Sequence, residues 1–574
     1  MDGCDVTESA TRCYCDTSSD MEFNLADLFE HAADSFPDRE YLVADGKRRT
    51  YAEMEERANR LANHLLSVGV SKGDHVGIYA YNCAEWVETL WAVFKIRAIW
   101  ININYRYVEN ELAYIFENAD LVAMVHAREF TVRINAVRNS LPMLRHSIVI
   151  DDVDSSPAQG SASSTVVVDA SEEVRKLGSV EYEEALAGAS PLRQFEKRSA
   201  DDRYLLYTGG TTGMPKGVIW RHEDVFYALG RGIDPVSGMK AEKPQDMVER
   251  GRNGTITIFP IAPLMHGASQ WGVMGSSFLG EKVLLTAKFD PDRVWQTVEL
   301  EKANTILITG DAMARPLVEA LDKPGKSYDL SSLIAISSSA AIFSSSLKEE
   351  FFSHFPNLII SDAVGSSEGG NNGIVVLSPG NTKMAGGPTV RPLEGSLVID
   401  EEFKPLTPGS GQVGKLARTG YIPLGYFKDP VKTAETFFEI EGTRYVVPGD
   451  FARVEADGTI TLLGRGSVSI NSGGEKIFPE EVESAVKSHP DVYDVVVVGV
   501  EDERWGQRVA AVVQPRVGKQ PSLESVQEHC RNLIAGYKIP REIHFVDLMQ
   551  RSPSGKADYP WAKQLAAGRN SDNV

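Results

Sequence analysis

The sequence predicts an α/β protein: a large N-terminal domain of layered parallel and mixed sheets with helices, followed by a small α+β domain. Helical and strand-like segments alternate from Phe23 onward, which is typical of parallel sheets covered by helices. The 574 residues are 42% hydrophobic and 24% charged, as in a folded chain that buries several cores. Near Gly464 the pattern changes to a Gly-rich segment, an amphipathic helix and two strands. We therefore predict a leader at 1–21, a large domain at 22–465 and a small domain at 466–574.

The first well-marked element is a helix that begins at Thr50. Thr50 and Glu53 form a capping box, Leu61 and Leu65 mark one apolar face, and Gly69 ends the helix. The segments that follow are a strand at 76–80, a helix through Trp86 and Phe94, a strand at 98–103, a helix through Leu112 and Phe116, and a strand at 120–125. This order predicts βαβ units.

Two polar stretches interrupt the alternation without ending it. Residues 151–165 predict an exposed loop, and 235–254 predict a polar insertion. Strands are then expected at 255–259, 282–286, 305–309, 333–337 and 358–361. In the small domain we expect a helix at Pro479 to Ser488, strands around Val495 and Val512, and a helix at Leu523 to Ile534. The β-branched run from Val495 to Val500 predicts a buried parallel strand.

Composition excludes several classes of protein. The net charge of −21 opposes binding to nucleic acid or to anionic lipid surfaces, although an anionic small molecule can still find a local basic pocket. The five cysteines, three of them at Cys4, Cys13 and Cys15, form neither a disulfide framework nor a spaced metal site. No signal peptide or transmembrane segment is expected, so we predict a cytoplasmic protein.

The most informative segment runs from Tyr204 to Val218, where an apolar strand leads directly into small residues. These residues are Thr208, Gly209, Gly210, Thr211, Thr212 and Gly213, with Lys216 three positions later. Glycine amides approach an anion closely, threonine hydroxyls donate hydrogen bonds and lysine adds positive charge, so the loop suits an oligophosphate. It lacks the Walker A order. The alternative is a flexible Gly/Thr hairpin.

This loop and several segments in matching order resemble the adenylate-forming enzymes, which include acyl-CoA synthetases, peptide-synthetase adenylation domains and luciferases. The resemblance covers roughly residues 23 to 565. It implies ATP and coenzyme A as substrates, Mg²⁺ as cofactor and a small C-terminal domain that is mobile.

Val364 to Glu368 is similar to the family's aromatic-Gly-x-Thr-Glu motif. The resemblance implies that Glu368, with Thr208, ligates Mg²⁺, a task suited to oxygen donors. It places Gly365, Ser366 and Ser367 at the nucleotide. Because Val364 replaces the usual aromatic residue, we expect apolar packing to hold the adenine, with help from a turn formed by Ser339, Ala340 and Ala341.

Asp450, in a Pro-Gly-Asp segment, resembles the aspartate that accepts both ribose hydroxyls, and Arg465 would also reach the ribose. In isolation a Gly-Asp pair indicates only a turn. After Arg465 the family carries a charged hinge residue, and here Ser467 stands at that position, which is a departure.

Lys556 matches the family's adenylation lysine, which would bridge the substrate carboxylate and the α-phosphate. Gly473 and Gly474 look like the turn that replaces this lysine in the second half-reaction and lines the thiol tunnel. His266 occupies the place of the gate residue between acyl pocket and tunnel. The alternative for His266 is a residue that only caps a helix.

The resemblance therefore implies a ligase that adenylates a carboxylate and transfers the acyl group to coenzyme A. Thr309 to Pro316 and the tail from Asp558 to Lys563 look most like actinobacterial ligases for fatty acids and steroid side-chain carboxylates, and we favour a steroid side chain over a long-chain fatty acid. The alternative is a domain that loads an acyl-carrier protein. A homodimer is left open.

Overall fold

The computed structural model describes residues 23–152, 170–210, 213–234, 237–254, 256–380, 388–472, 475–502, 504–551 and 556–568. The leader at 1–21 and most of the loop at 151–165 lie outside these ranges. None of the helices within them has the length and apolar content needed to cross a membrane.

The helices of the described residues follow in chain order. They are α1 (Leu25–Ser35), α2 (Tyr51–Ser67), α3 (Ala84–Lys95), α4 (Glu109–Asn118), α5 (Thr131–Ala136), α6 (Ala170–Leu177), α7 (Tyr182–Ala187), α8 (His222–Ala228), α9 (Gln245–Arg252), α10 (Gly267–Phe278), α11 (Pro291–Glu301), α12 (Asp311–Leu321), α13 (Ser345–His354), α14 (Pro430–Thr436), α15 (Pro479–Lys487), α16 (Leu523–Arg531) and α17 (Tyr559–Ala566). Short 3₁₀ turns occur at Arg128–Phe130, Arg138–Ser140, Gly466–Val468 and Gly536–Lys538.

The strands form three sheets. In the first half of the chain they are β1 (Glu40–Ala44), β2 (Lys47–Thr50), β3 (His75–Tyr79), β4 (Ile99–Asn102), β5 (Leu121–Ala127), β6 (His146–Ile150), β7 (Val180–Glu181), β8 (Arg203–Gly210), β9 (Gly213–Arg221), β10 (Thr257–Pro260) and β11 (Lys282–Leu285). Next come β12 (Thr305–Ile308), β13 (Ala335–Ser339), β14 (Ile359–Ser366), β15 (Gly370–Leu377), β16 (Thr389–Pro392), β17 (Ser396–Ile399), β18 (Val413–Arg418), β19 (Gly425–Tyr426), β20 (Phe437–Ile440), β21 (Thr443–Val446), β22 (Asp450–Val454) and β23 (Ile460–Arg465). The last are β24 (Ile470–Ser472), β25 (Glu475–Ile477), β26 (Val492–Asp502), β27 (Gly506–Pro515) and β28 (Glu542–Phe545).

The predicted α/β class with mixed sheets is confirmed. One sheet has the order β19-β9-β8-β4-β3-β5-β6-β7 and is parallel from β8 to β7. A larger sheet is parallel through β1, β11, β10, β12, β13 and β14 and continues with antiparallel strands from β15 onward. The capping box is present, since Thr50 Oγ1 accepts from the Glu53 amide at 3.2 Å and Glu53 Oε2 accepts from the Thr50 amide at 2.8 Å.

Two sequence interpretations need correction or refinement. The run Val495 to Val500 is buried as predicted, but its strand β26 is antiparallel to β27 and not parallel to a neighbour. Its side chains pack into two cores, one with α15 and α16 and one with α17. Burial on both faces explains the continuous apolar run whichever way the neighbouring strand points. In addition, the polar insertion at 235–254 contains helix α9.

The third sheet, β24 to β28, begins at Ile470, a few residues after β23 ends at Arg465. The domain boundary after Arg465 remains a prediction.

Ends of strands from both larger sheets bring the predicted site together. Strand β8 of one sheet ends at Gly210, while β13 and β14 of the other end at Ser339 and Ser366. In open α/β sheets the carboxyl ends of parallel strands are the usual place for a ligand crevice.

Candidate active site

Two adjoining cavities lie at these strand ends. The large cavity has a volume of about 700 Å³ and the small cavity about 250 Å³. Several residues line both cavities, among them Thr208, Gly365, Ser366, Ser367 and Lys556. Sequence positions up to 348 residues apart thus meet at one junction.

The Gly/Thr-rich segment connects two strands that meet this junction. Strands β8 and β9 are antiparallel, with Thr208 opposite Lys216 and Gly210 opposite Gly213, and Gly209 lies within β8. Thr211 and Thr212 lie outside the described residues. Strands β8 and β9 thus form a hairpin, which is compatible with phosphate binding because Thr208 borders both cavities.

Lys216 does not line either cavity; it forms an ion pair with Asp429, the N-cap of α14. Asp429 also accepts from the Lys432 amide at 2.9 Å. The Lys216 ammonium and this amide hold the pKa of the Asp429 carboxyl below its usual range. Sequence reasoning missed Asp429, although an aspartate before a proline is a recognisable helix start.

Glu368 lines the small cavity and is held by Tyr426, whose hydroxyl donates to Glu368 Oε1 at 3.1 Å. Tyr426 comes from β19, which pairs with β9, so the phosphate hairpin and the glutamate are tied to the same sheet edge. The Glu368 carboxylate and the Thr208 hydroxyl offer the hard oxygen donors that Mg²⁺ prefers, so the residues present fit that ion. No local sequence signal marked Tyr426.

The turns predicted to surround a base line these cavities. Ala340 faces both, Ser339 faces the large one, and Ala341 and Val364 face the small one. Ala340 has φ of +67°, a left-handed conformation that costs a non-glycine residue free energy. The Trp220 ring nitrogen donates to the Ser367 carbonyl at 3.0 Å and fixes the loop that follows β14.

Asp450 and Arg465 are neighbours across the β22–β23 pair and both line the small cavity. Arg465 Nε donates to Asp450 Oδ1 at 3.2 Å. The Asp450 carboxylate raises the pKa of the Arg465 guanidinium, so this arginine stays charged. The pair presents a carboxylate and a cation to one side of the cavity.

Lys556 lies at the junction of the two cavities and is partly exposed. Burial lowers the pKa of its ammonium, and the nearby Arg465 charge lowers it further, while the Glu368 and Asp450 carboxylates oppose that shift. An isolated bridge between Arg551 and Ala557 closes the loop that carries Lys556. A cation at this junction can act on groups in either cavity.

His266 lines the large cavity at the N-cap position of α10, and its side chain makes no capping hydrogen bond to the helix. The capping alternative is therefore not supported. Gly473 and Gly474 lie outside the described residues, and Ser467 lies in the 3₁₀ turn that follows β23.

Two glutamates from the small sheet's first helix also line the small cavity, and sequence reasoning missed both. Burial raises the pKa of Glu480 to about 8, and burial raises the pKa of Glu483 to about 7. Glu480 packs on Gly464, where an added Cβ would lie 2.1 Å from Glu480 Oε2. Gly464 has φ of +126°, so this position requires glycine for both conformation and space.

The large cavity has a mainly apolar lining. Its apolar residues include Met265, Leu229, Ile233, Trp271, Leu307, Ile374 and Leu393. One wall carries the buried Arg418, which donates to the Asn371 carbonyl and whose pKa burial lowers to about 10. The cavity thus suits a bulky apolar group with limited polarity.

Comparison with known protein families decides the class of the protein. Residues 29–427 match the model of the AMP-binding enzyme family, and residues 481–556 match its C-terminal domain. The chain belongs to the AMP-binding enzyme family.

Several members of this family are similar over nearly their whole length. A 3-oxocholest-4-en-26-oate--CoA ligase from Rhodococcus rhodochrous is 52% identical, with 96% of this chain and 98% of the relative covered. A medium/long-chain-fatty-acid--CoA/3-oxocholest-4-en-26-oate--CoA ligase from Mycolicibacterium smegmatis is 48% identical over the same shares. A medium-chain acyl-CoA ligase, Mig, from Mycobacterium avium is 40% identical over 95% of this chain and 98% of the relative.

Solved structures share the fold at lower identity. The anthranilate CoA ligase AuaEII in complex with anthranoyl-AMP has a TM-score of 0.78 at 23% identity, covering 96% of this chain and 98% of that one. ATP-bound MatB from Rhodopseudomonas palustris has a TM-score of 0.76 at 22% identity, covering 95% and 99%. Both confirm the adenylate-forming fold.

Proposed function

We propose that the protein is an ATP-dependent acyl-CoA ligase that joins a hydrophobic carboxylate to coenzyme A and releases AMP and pyrophosphate. The observation that carries this proposal is the position of Lys556 at the junction of a mainly apolar cavity and a cavity that charged residues line. Such a cation can face an acyl carboxylate on one side and a nucleotide phosphate on the other.

A carboxylate reacts poorly with a thiol because oxide would have to be the leaving group. The first half-reaction overcomes this by converting the carboxylate to an acyl-adenylate. A carboxylate oxygen attacks the α-phosphorus of ATP, the bond from this phosphorus to the bridging oxygen breaks, and pyrophosphate leaves with the electron pair. In our assignment the loop of Thr208 to Gly213 holds the phosphates, and Lys216 would join it only by leaving its ion pair with Asp429. Lys556 stabilises the negative charge that develops at the α-phosphate.

The small cavity would receive the nucleoside. Asp450 accepts hydrogen bonds from the ribose hydroxyls and Arg465 lies beside it, while Ala340, Ala341 and Val364 pack against the adenine. Glu368 and Thr208 would hold Mg²⁺, which neutralises phosphate charge when it is bound.

In the second half-reaction the coenzyme A thiol attacks the acyl carbonyl carbon. The thiol proton passes to water, the bond from the carbonyl carbon to the phosphate oxygen breaks, and AMP leaves with the electron pair of that bond. We assign the Gly473–Gly474 turn to the thiol path, where glycine allows a thin arm to pass close to the backbone. His266 is proposed as the gate between this path and the large cavity.

We propose a steroid side-chain carboxylate as the preferred substrate, ahead of a long-chain fatty acid. The large cavity of about 700 Å³ falls in the range of about 300 to 1,000 Å³ that is typical of sites for sizeable organic ligands. Its lining is mainly apolar, and the most similar relatives cited above are named for a steroid acid or for steroid and fatty acids.

The test is a panel of steroid side-chain, fatty and aromatic acids, read by acid-dependent AMP release and by detection of the acyl thioester. We expect the highest kcat/KM with the steroid acid, lower values with long-chain acids and little activity with small aromatic acids. A preference for small aromatic acids would contradict the assignment of the large cavity. Adenylation without any transfer to coenzyme A would instead favour the carrier-protein alternative.

A further inference from the structure

A series of alternating positive and negative side chains connects helix α12 to the segment that precedes Lys556. Lys487 Nζ lies 3.0 Å from Asp311 Oδ2 and 2.9 Å from Asp494 Oδ1. Arg551 Nη2 lies 2.5 Å from the same Asp494 oxygen. The order Asp311, Lys487, Asp494, Arg551 thus runs from α12 through α15 and β26 to the segment before Lys556.

These charges are buried, so water screens them little. The Lys487 and Asp311 side chains are 6% and 7% exposed, and Asp494 is 13% exposed. The two aspartates raise the pKa of Lys487, and Lys487 and Arg551 hold the pKa of Asp494 well below its usual range. Removing one member of this series would leave a buried charge without its partner. That costs far more free energy than breaking an ion pair on the surface.

A backbone contact holds each end of this series of charges in place. Asp311 Oδ1 accepts from the Ser344 amide at 2.7 Å, which orients its second oxygen towards Lys487. At the other end Arg551 pairs through its backbone with Ala557, the residue after Lys556. The same face has a second contact, since the Arg315 guanidinium of α12 lies 4.7 Å from the ring centre of Tyr493.

We propose that Asp311 and Lys487 are positioning residues for adenylation: their buried ion pair seats the C-terminal region against α12 and thereby holds Lys556 at the junction of the two cavities. The inference rests on the proposed function, because it concerns the half-reaction assigned to Lys556. Asp311 and Lys487 also border the small cavity, beside the proposed nucleoside site. The pair connects to Lys556 through Asp494 and Arg551, whose backbone pairs with Ala557. A direct contact with the nucleotide would instead lower both half-reactions.

The experiment separates the two half-reactions in Asp311→Asn, Lys487→Met and the double variant. Adenylation is followed by acid-dependent exchange of labelled pyrophosphate into ATP, and thioester formation by conversion of supplied acyl-adenylate with coenzyme A. We expect each single variant to lower exchange by about tenfold to a hundredfold, because a small misplacement of a reacting group has an effect of that size. Thioester formation should stay within about threefold of the wild type.

The double variant tests whether the two residues act as a pair. Its exchange activity should be no lower than that of the worse single variant, whereas independent effects would multiply. Asp329→Asn, which removes the exposed 2.6 Å pair with Lys302, is the control and should leave both activities unchanged.

Three results have different meanings. Equal loss of both activities, or no loss of exchange in folded Asp311→Asn, would overturn the inference while leaving the ligase assignment intact. Wild-type protein that exchanges no pyrophosphate with any acid of the panel would overturn the proposed function itself. Circular dichroism and thermal melting show whether each variant is folded. Asp311→Asn keeps the side-chain shape and is therefore the variant expected to disturb folding least.

Discussion

Replacement of Lys556 by alanine is the most direct perturbation of the proposed chemistry. The ammonium lies at the junction of the two cavities, where a charge acts more strongly on its neighbours than it would in bulk water. Removal of one preorganised donor of this kind lowers kcat by about 10²-fold to 10³-fold, or about 3 to 4 kcal/mol of transition-state stabilisation. Because Lys556 carries a full charge, we expect the upper end of this range.

The assay is the exchange of labelled pyrophosphate into ATP in the presence of acid, compared with thioester formation from supplied acyl-adenylate. Lys556→Ala should lose exchange and retain thioester formation. Lys563→Ala, on an exposed position of α17, should leave both unchanged. If Lys556→Ala lost both activities together, or retained full exchange, the role assigned to this lysine would be refuted.

The pH profile of the same reaction follows from the environment of Lys556. Burial and Arg465 lower the pKa of the ammonium from its ordinary value of about 10.4. Only the protonated form stabilises the developing phosphate charge, so the exchange rate should fall as pH rises through this lowered pKa. A rate that stays constant up to the ordinary lysine value would contradict the protonation argument.

Three further predictions concern stability, each measured by thermal or denaturant unfolding. Ala340→Gly should stabilise the protein by about 0.5 to 1 kcal/mol because glycine removes the left-handed strain, whereas the neighbouring control Ala341→Gly should destabilise it by a similar amount. The folded chain holds the Glu480 proton up to about pH 8, while the unfolded chain releases it near pH 4.5. The free energy of unfolding of the wild type should therefore decrease as pH rises from about 4.5 to about 8, and Glu480→Gln should weaken this decrease. Identical pH dependence in both proteins would contradict the raised pKa. Lys95→Met should destabilise by about 3 kcal/mol because it removes the fully buried cation between Glu30 and Glu55 and leaves these carboxylates with their arginine partners alone. Lys404→Met at an exposed pair should change stability by less than about 1 kcal/mol.

Local patterns in the sequence predicted local structure well. The Thr50 capping box and the apolar run from Tyr204 to Tyr207 are contiguous signals, and the structure contains the helix and the strand that they predict. The strand continues to Gly210, into the segment predicted as a loop. The direction of the strand at Val495 was wrong because an apolar run reports burial of both faces and contains no information about the neighbouring strand.

Contacts between distant segments could not be predicted in this way. Tyr426 is 58 residues from Glu368, and Lys487 is far in sequence from Asp311 on another helix. Nothing in the local sequence pairs these residues; the packing of separate elements does. The resemblance located the residues with proposed chemistry, whereas the residues that hold them in place became visible only in the structure.

The central claim is that one nucleotide site lies between the Gly/Thr-rich hairpin and Lys556. A crystal structure of the protein with AMP and the preferred acid tests it most directly. We predict the adenosine in the small cavity with its ribose hydroxyls on Asp450, the phosphate between Thr208 and Lys556, and the acid's apolar body in the large cavity. Nucleotide bound away from Thr208 and Lys556 would contradict the account.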